Sequence, residues 1–162
     1  HPIFVHQRRL IPDSEGAGRF RGALGAYSEF APVDCDMIVA YISDGNINPA
    51  QGTRGGWAGG CSAQFRKKAD GSLEPLPPCA EILIKADERM VSISAGGGGY
   101  GAPLTRDVER VIHDVREGWV SRERARDIYG VVLTPSLDLD DVATQQLRSD
   151  IKDSHTHHGS TS

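Results

Sequence analysis

The sequence has no excess of positive charge, no long apolar run and no leader-like start. Its 18 lysines and arginines stand against 22 acidic residues, which gives a net charge of −4 and a pI near 5.8. A chain without a basic field is a poor candidate for nucleic-acid binding. No apolar stretch approaches the roughly 18 residues that a membrane-spanning helix needs, and no secretory signal opens the chain. We therefore predict neither nucleic acid nor membrane as a partner.

Cysteine is also scarce. Cys35, Cys61 and Cys79 are odd in number and widely spaced, and no C-x-x-C motif occurs. This pattern predicts three small buried side chains in a reducing compartment, and hence a cytoplasmic protein. One disulfide with a single free thiol remains the alternative.

The residues that are present predict an α+β fold, in which a mostly antiparallel β region is followed by a short helical C-terminal tail. The chain of 162 residues is long enough for one core. Apolar alternation and β-branched content predict strands, among them a buried strand at 37–42 and a hairpin built from 81–85 and 90–94. We assign the β-rich region to residues 1–101.

The period of the apolar residues changes after residue 101. Val108, Val111, Ile112 and Val115 lie at i, i+3, i+4 and i+7, which predicts one helical face, with Thr105 as a candidate cap. Further elements are predicted: a second helix capped by Ser121, a short strand at 131–133 and a weaker helix at 139–151. Residues 102–151 would thus be a helical tail packed on the β region, and residues 152–162 an extended polar tail.

Two glycine clusters are the clearest candidates for a functional surface. Gly96 to Gly101 precede the first helix and could cradle a phosphate with backbone N–H groups, but their spacing fits no nucleotide-loop motif. A structural interpretation, with backbone packed on backbone, is therefore favoured. The second cluster, residues 55–60, carries a tryptophan. The candidate interface or loop residues are Arg54, Gly55, Gly56, Trp57, Gly96, Gly97, Gly98, Gly99 and Tyr100.

Two weaker patterns remain. Asp34 and Asp36 could place two carboxylates on one side of an extended segment, although a solvated strand edge explains them more simply. His155, His157 and His158 could bind a transition metal, although a polar tail is the simpler interpretation. We predict no catalytic, cofactor-binding or metal-ligating residue in this chain.

Two motif blocks resemble the C-terminal segment of the hydantoinase B/5-oxoprolinase family. Residues 12–25 (PDSEGAGRFRGALG) are similar to the family pattern PDSGGAGRxRGGLG, with Glu15 and Ala23 replacing glycines. Residues 96–133 are similar to GGGGYGDPxxRDPxxVxxDVxxGxVSxExAxxxYGVVL, with Ala102 replacing Asp and Val108 replacing Pro. We call these the first and second motif blocks.

The resemblance implies a part of a multi-subunit enzyme that is not catalytic alone. Members of this family work with a hydantoinase A-type subunit that binds ATP, and the pair opens a cyclic amide. The chain would be a small subunit or cleaved C-terminal part of such an enzyme, with a structural and interface role. ATP, Mg²⁺ and a divalent metal would be held by that subunit and by a larger hydantoinase B-type N-terminal chain. The alternatives are a subunit of an ATP-dependent ketone carboxylase, of the acetone or acetophenone type, and a non-catalytic structural module.

Overall fold

Seven strands form two antiparallel sheets in a computed structural model that describes residues 2–157, with side chains described through residue 151. The larger sheet has the strand order β1-β2-β7-β4-β5, and the smaller one pairs β3 with β6. The strands are β1 (Ile3–Leu10), β2 (Ala26–Pro32), β3 (Met37–Ile42), β4 (Ala63–Lys67), β5 (Leu73–Pro75), β6 (Cys79–Ile84) and β7 (Arg89–Ile93). The helices are α1 (Val108–Arg116), α2 (Arg122–Asp127) and α3 (Asp141–His157). The architecture is α+β, as predicted.

The hairpin predicted from 81–85 and 90–94 is wrong, although both strands exist. β6 pairs with β3 from Met37 opposite Ile84 to Ile42 opposite Cys79, whereas β7 lies between β2 and β4 in the larger sheet. Met90 and Val91 of β7 are almost completely buried. They are buried because β7 is a central strand with a neighbouring strand on either side. A strand in a hairpin at the edge of the sheet would leave these side chains more exposed.

The strand predicted to be buried at 37–42 is mostly exposed. Of its six residues only Met37 is buried, while Ile38 and Ile42 are 63% and 84% exposed. The prediction of three buried cysteines is also wrong, because Cys61 and Cys79 are exposed and Cys35 is half-buried. The exposure of Ile38, Ile42 and Cys79 has one reason: no other described part of the chain covers the face of the smaller sheet on which they lie.

The helical tail forms the main apolar core together with Ala17 of the first motif block. The predicted stripe of α1 is confirmed, since Val111, Ile112 and Val115 are buried. The cap of α1 is Asp107, whose side chain accepts the Arg110 N–H, and not Thr105. Other core members follow in the chain: Val120, Ala125, Tyr129, Val131 and Leu133.

The end of the tail differs from the prediction in two ways. Residues 131–133 form no strand: Val131 and Leu133 are buried, and Leu133 makes one bridge, to Leu139. The last helix runs to His157 and so includes residues 152–157, which were predicted to be extended. Residues 158–162, with His158, lie outside the described residues. Between residues 2 and 157, no helix has both the length and the apolar composition needed to cross a membrane.

Candidate functional site

The two glycine clusters lie side by side in an arrangement of three segments that we call the glycine bundle, made of residues 14–23, 50–60 and 96–101. Gly96 donates its N–H to the Gly60 carbonyl at 2.9 Å, and Gly99 donates to the Trp57 carbonyl at 2.9 Å. On the other side, Gly97 donates to the Ala23 carbonyl at 2.9 Å. The glycine run is therefore the middle segment, with the first motif block on one side and the second cluster on the other.

The close approach of these backbones requires glycine. A Cβ atom built on Gly56 would lie well under 3.0 Å from backbone atoms of Gly99, and one built on Gly99 would lie as close to the carbonyl of Ala17. No side chain fits between backbones at this spacing. The interpretation of the glycine run as backbone packed on backbone is confirmed. Because the N–H groups of Gly96, Gly97 and Gly99 already donate to carbonyls, they are not available to cradle a phosphate.

A buried ion-pair cluster joins the first motif block to the second. Arg21 donates two hydrogen bonds to the Asp114 carboxylate, both at 3.0 Å, and Arg106 donates to the same carboxylate at 2.8 Å. Arg106 also donates to the Arg19 carbonyl at 3.1 Å. Asp114 and Arg106 are buried, so the two positive charges compensate a carboxylate that water cannot reach. These contacts give a structural role to Arg21 of the first motif block and to Arg106 and Asp114 of the second.

Glu15 makes a second buried link, at a position where the family pattern has glycine. Its Oε1 accepts from Arg124 at 2.7 Å and from the Tyr129 hydroxyl at 3.0 Å. Burial and the neighbouring Glu15 carboxylate raise the pKa of Tyr129, so the phenol stays protonated and donates. Glu15 Oε2 has no hydrogen-bond partner among the described residues. Arg124 and Tyr129 thus accommodate the departure from the family pattern.

One end of the glycine bundle presents exposed aromatic and arginine side chains, which we call the aromatic–arginine surface. The Arg54 guanidinium lies 5.7 Å from the centroid of the Tyr100 ring, and Arg19 lies 5.6 Å from that of Phe20. The two rings are 6.3 Å apart. Trp57, Tyr100 and Phe20 are each about half exposed. The structure therefore brings the predicted Arg54 and Tyr100 together and adds Arg19 and Phe20, which the sequence reasoning missed.

Arg54 adopts a backbone conformation that favours glycine. Its φ is +50°, the φ of Gly55 is +86°, and Gly56 N–H donates to the Thr53 carbonyl at 3.0 Å. Positive φ at both central positions is typical of a type I′ turn. A left-handed arginine costs on the order of 1–2 kcal/mol. The turn holds the arginine at the exposed end of the bundle in spite of that cost.

The paired aspartates do not form a site. Asp36 accepts the Ala86 N–H at 2.9 Å, and Asp34 is an exposed turn residue with a φ of +54°. Within the described part of the chain, no group of three histidine, cysteine, aspartate or glutamate side chains is placed to hold a metal. The side chains of His155 and His157, like all of His158, are outside the described set.

Comparison with protein-family models identifies the family of the chain. The family model for hydantoinase B/oxoprolinase matches residues 1–103, which is more than half of the chain. The chain belongs to the hydantoinase B/oxoprolinase family. Both outer segments of the glycine bundle and all of the glycine run lie within the matched region.

Two relatives with known names have similar sequences. The beta subunit of caprolactamase from Pseudomonas jessenii is 33% identical over 153 residues, which are 92% of this chain and 26% of that protein. The alpha subunit of acetone carboxylase from Xanthobacter autotrophicus is 23% identical over 189 aligned positions, covering 93% of this chain and 24% of that protein. The chain thus spans about a quarter of the length of these relatives.

Solved structures repeat the fold. The crystal structure of the ATP-dependent caprolactamase from Pseudomonas jessenii superposes with a TM-score of 0.74 at 29% identity, over 92% of this chain and 26% of that chain. A nucleotide-free acetone carboxylase superposes with a TM-score of 0.78 over 97% of this chain and 26% of that chain. Since its identity is 20%, the second likeness concerns the fold alone.

Proposed function

We propose that this chain forms the C-terminal quarter of the large subunit of an ATP-dependent enzyme that opens a cyclic amide. The observation that carries the proposal is the 33% identity to the caprolactamase beta subunit over 92% of the chain. The lower identity to the acetone carboxylase alpha subunit, 23%, makes ATP-dependent ketone carboxylation the second candidate. The fold is common to both and does not choose between them.

The role proposed for the chain within that enzyme is structural. Its glycine bundle and its two buried ion-pair clusters hold the first motif block against the helical tail. Because these backbone and charged groups already bond to one another, they are held in fixed positions, as expected of a structural part of the enzyme. ATP with Mg²⁺, the divalent metal and the reacting groups would belong to the larger N-terminal part of the subunit and to a hydantoinase A-type ATP-binding subunit.

The aromatic–arginine surface is the proposed contact with one of those parts. Tryptophan, tyrosine and arginine are the residues that most often dominate the energy of protein interfaces, and Arg54, Trp57 and Tyr100 are exposed together with Phe20. The strained turn at Arg54 supports this assignment, since such strain persists where position matters. We further propose a cytoplasmic site of action, because the exposed Cys61 and Cys79 are free thiols.

The test is ATP turnover by the complex purified through a tag on this chain. We expect ADP release when caprolactam or a hydantoin is added, and none above background with acetone and bicarbonate. ADP release with acetone and bicarbonate, but not with caprolactam or a hydantoin, would instead establish a ketone carboxylase. A tagged chain that recovers no ATP-hydrolysing partner would overturn the enzymatic role and favour the non-catalytic module.

A single substitution examines the proposed contact in the same preparation. Arg54→Asn removes the guanidinium but keeps the left-handed turn, because asparagine tolerates positive φ. We expect several-fold less co-purified partner at an unchanged melting temperature of the isolated chain. Arg126→Asn, at an exposed arginine of α2 whose ion pair with Asp127 is also exposed, serves as the matched control and should leave the yield unchanged.

A further inference from the structure

The two-stranded sheet β3–β6 has an apolar face that points away from the larger sheet. Ile38 is opposite Leu83 in the register, and Ile42 is opposite Cys79. These side chains are exposed, with Ile42 at 84% and Ile38 at 63%. Between these pairs lies Ala40, opposite Glu81. We call these six residues the outer face.

The inner face of the same sheet is incompletely packed. Val39 and Tyr41 line a cleft of about 320 Å³, whose opposite wall includes Phe30 and Met90 of the larger sheet. A two-stranded sheet is marginally stable without further packing. This sheet therefore has an open cleft on one side and an uncovered apolar face on the other.

We infer that the outer face docks against the part of the hydantoinase B polypeptide that lies outside this chain. The relatives are about four times as long as the chain, which spans 26% of the caprolactamase subunit, so a large surface of the same polypeptide is available to cover it. An exposed six-residue face with five apolar or small members is typical of an interaction site. This inference rests on the proposed function and adds the surface through which the chain is held.

Glu81 specifies the chemistry of the docking surface. It is the only charged side chain among the six residues of the outer face, and it is exposed. Covering it with a purely apolar surface would bury an unpaired charge at high cost. The partner surface therefore presents apolar side chains around one lysine or arginine that pairs with Glu81.

The experiment uses a chimera in which this chain replaces the matching quarter of the caprolactamase beta subunit of Pseudomonas jessenii. Ile42→Lys is compared with Val142→Lys, which changes an equally exposed apolar residue on α3. In the isolated chain both variants should have the same melting temperature as the wild type. In the chimera, Ile42→Lys should lower the melting temperature by roughly 5 °C, and Val142→Lys should not.

The thiol of Cys79 gives a second readout that does not depend on a variant. It is exposed on the outer face of the isolated chain, and its alkylation, followed by peptide mass spectrometry, should be at least about tenfold slower in the chimera because the face is covered. Two results would overturn the proposed docking face and leave the proposed function untouched. One is an equal rate of Cys79 alkylation in the isolated chain and the chimera. The other is an equal melting temperature for the Ile42→Lys and wild-type chimeras. Formation of a dimer of the isolated chain that protects Cys79 equally would assign the face to a second copy instead. Failure of the wild-type chimera to fold would contradict the proposed function itself.

Discussion

At the scale of single residues, Glu29 shows how this chain stabilises a charge inside its larger sheet. The carboxylate is buried on β2 and accepts hydrogen bonds from Tyr27 at 2.8 Å, Arg89 at 2.8 Å and Lys67 at 3.1 Å. Burial alone would raise the pKa of Glu29, but the hydrogen bonds from Arg89, Tyr27 and Lys67 outweigh it and lower the pKa from 4.5 to about 2. The ionised carboxylate therefore ties together three strands.

This arrangement predicts a defined dependence of stability on pH. Since the folded pKa lies below the unfolded one, the stabilisation by Glu29 is complete above pH 4.5 and is lost as the pH falls towards 2. Glu29→Gln should lower the free energy of unfolding at pH 7 by on the order of 2–3 kcal/mol, and the difference from the wild type should shrink steadily below pH 4.5. Urea unfolding at several pH values measures this. Glu117→Gln, at an exposed position, is the control, and a constant difference for Glu29→Gln across the pH range would contradict the account.

At the scale of elements, the glycine bundle is the feature that organises the chain. Three segments that are distant in sequence exchange backbone hydrogen bonds without regular strand geometry. The helical tail then attaches to the first of them through Asp114 and Glu15. The bundle thus connects the β region to the helices, and its integrity should decide whether the chain folds.

A pair of glycine substitutions tests that role. In Gly99→Ala the new methyl group would meet the carbonyl carbon of Ala17 at 2.5 Å and the carbonyl oxygen of Gly16 at 2.7 Å, so backbone must move and the loss should exceed about 3 kcal/mol. In Gly71→Ala the methyl group meets open space, and the positive φ of +84° should cost only about 1–2 kcal/mol. Both changes restrict the unfolded chain equally. Urea unfolding compares them, with insolubility of Gly99→Ala counted as the expected loss; equal stabilities would refute the requirement for glycine.

The same elements show what a sequence can predict. The apolar stripe of α1 and the Ser121 cap of α2 were predicted because both signals lie within a few neighbouring residues. The pairing of β6 with β3, and the contact between the two glycine clusters, were not predicted. Glycine has no side chain to mark its partner, and strand pairing between distant segments depends on tertiary packing.

At the scale of the whole molecule, two apolar surfaces of the described chain are exposed. Its outer face and the exposed strand β1, with Ile3, Phe4 and Val5 each more than half exposed, are apolar surfaces of the kind that partners cover. The motif blocks predicted the family because they are long, and the match over residues 1–103 shows it. What covers these faces could not be predicted, since no described residue of this chain packs against them.

The most direct test is native mass spectrometry of the complex recovered from its source through a tag on this chain. We predict that the chain is found with, or within, a hydantoinase B-type polypeptide about four times its length, the ratio given by the 26% coverage of the caprolactamase subunit, bound to an ATP-binding subunit. Recovery of the chain as a stable monomer of 17.5 kDa, with no bound polypeptide, would contradict the account.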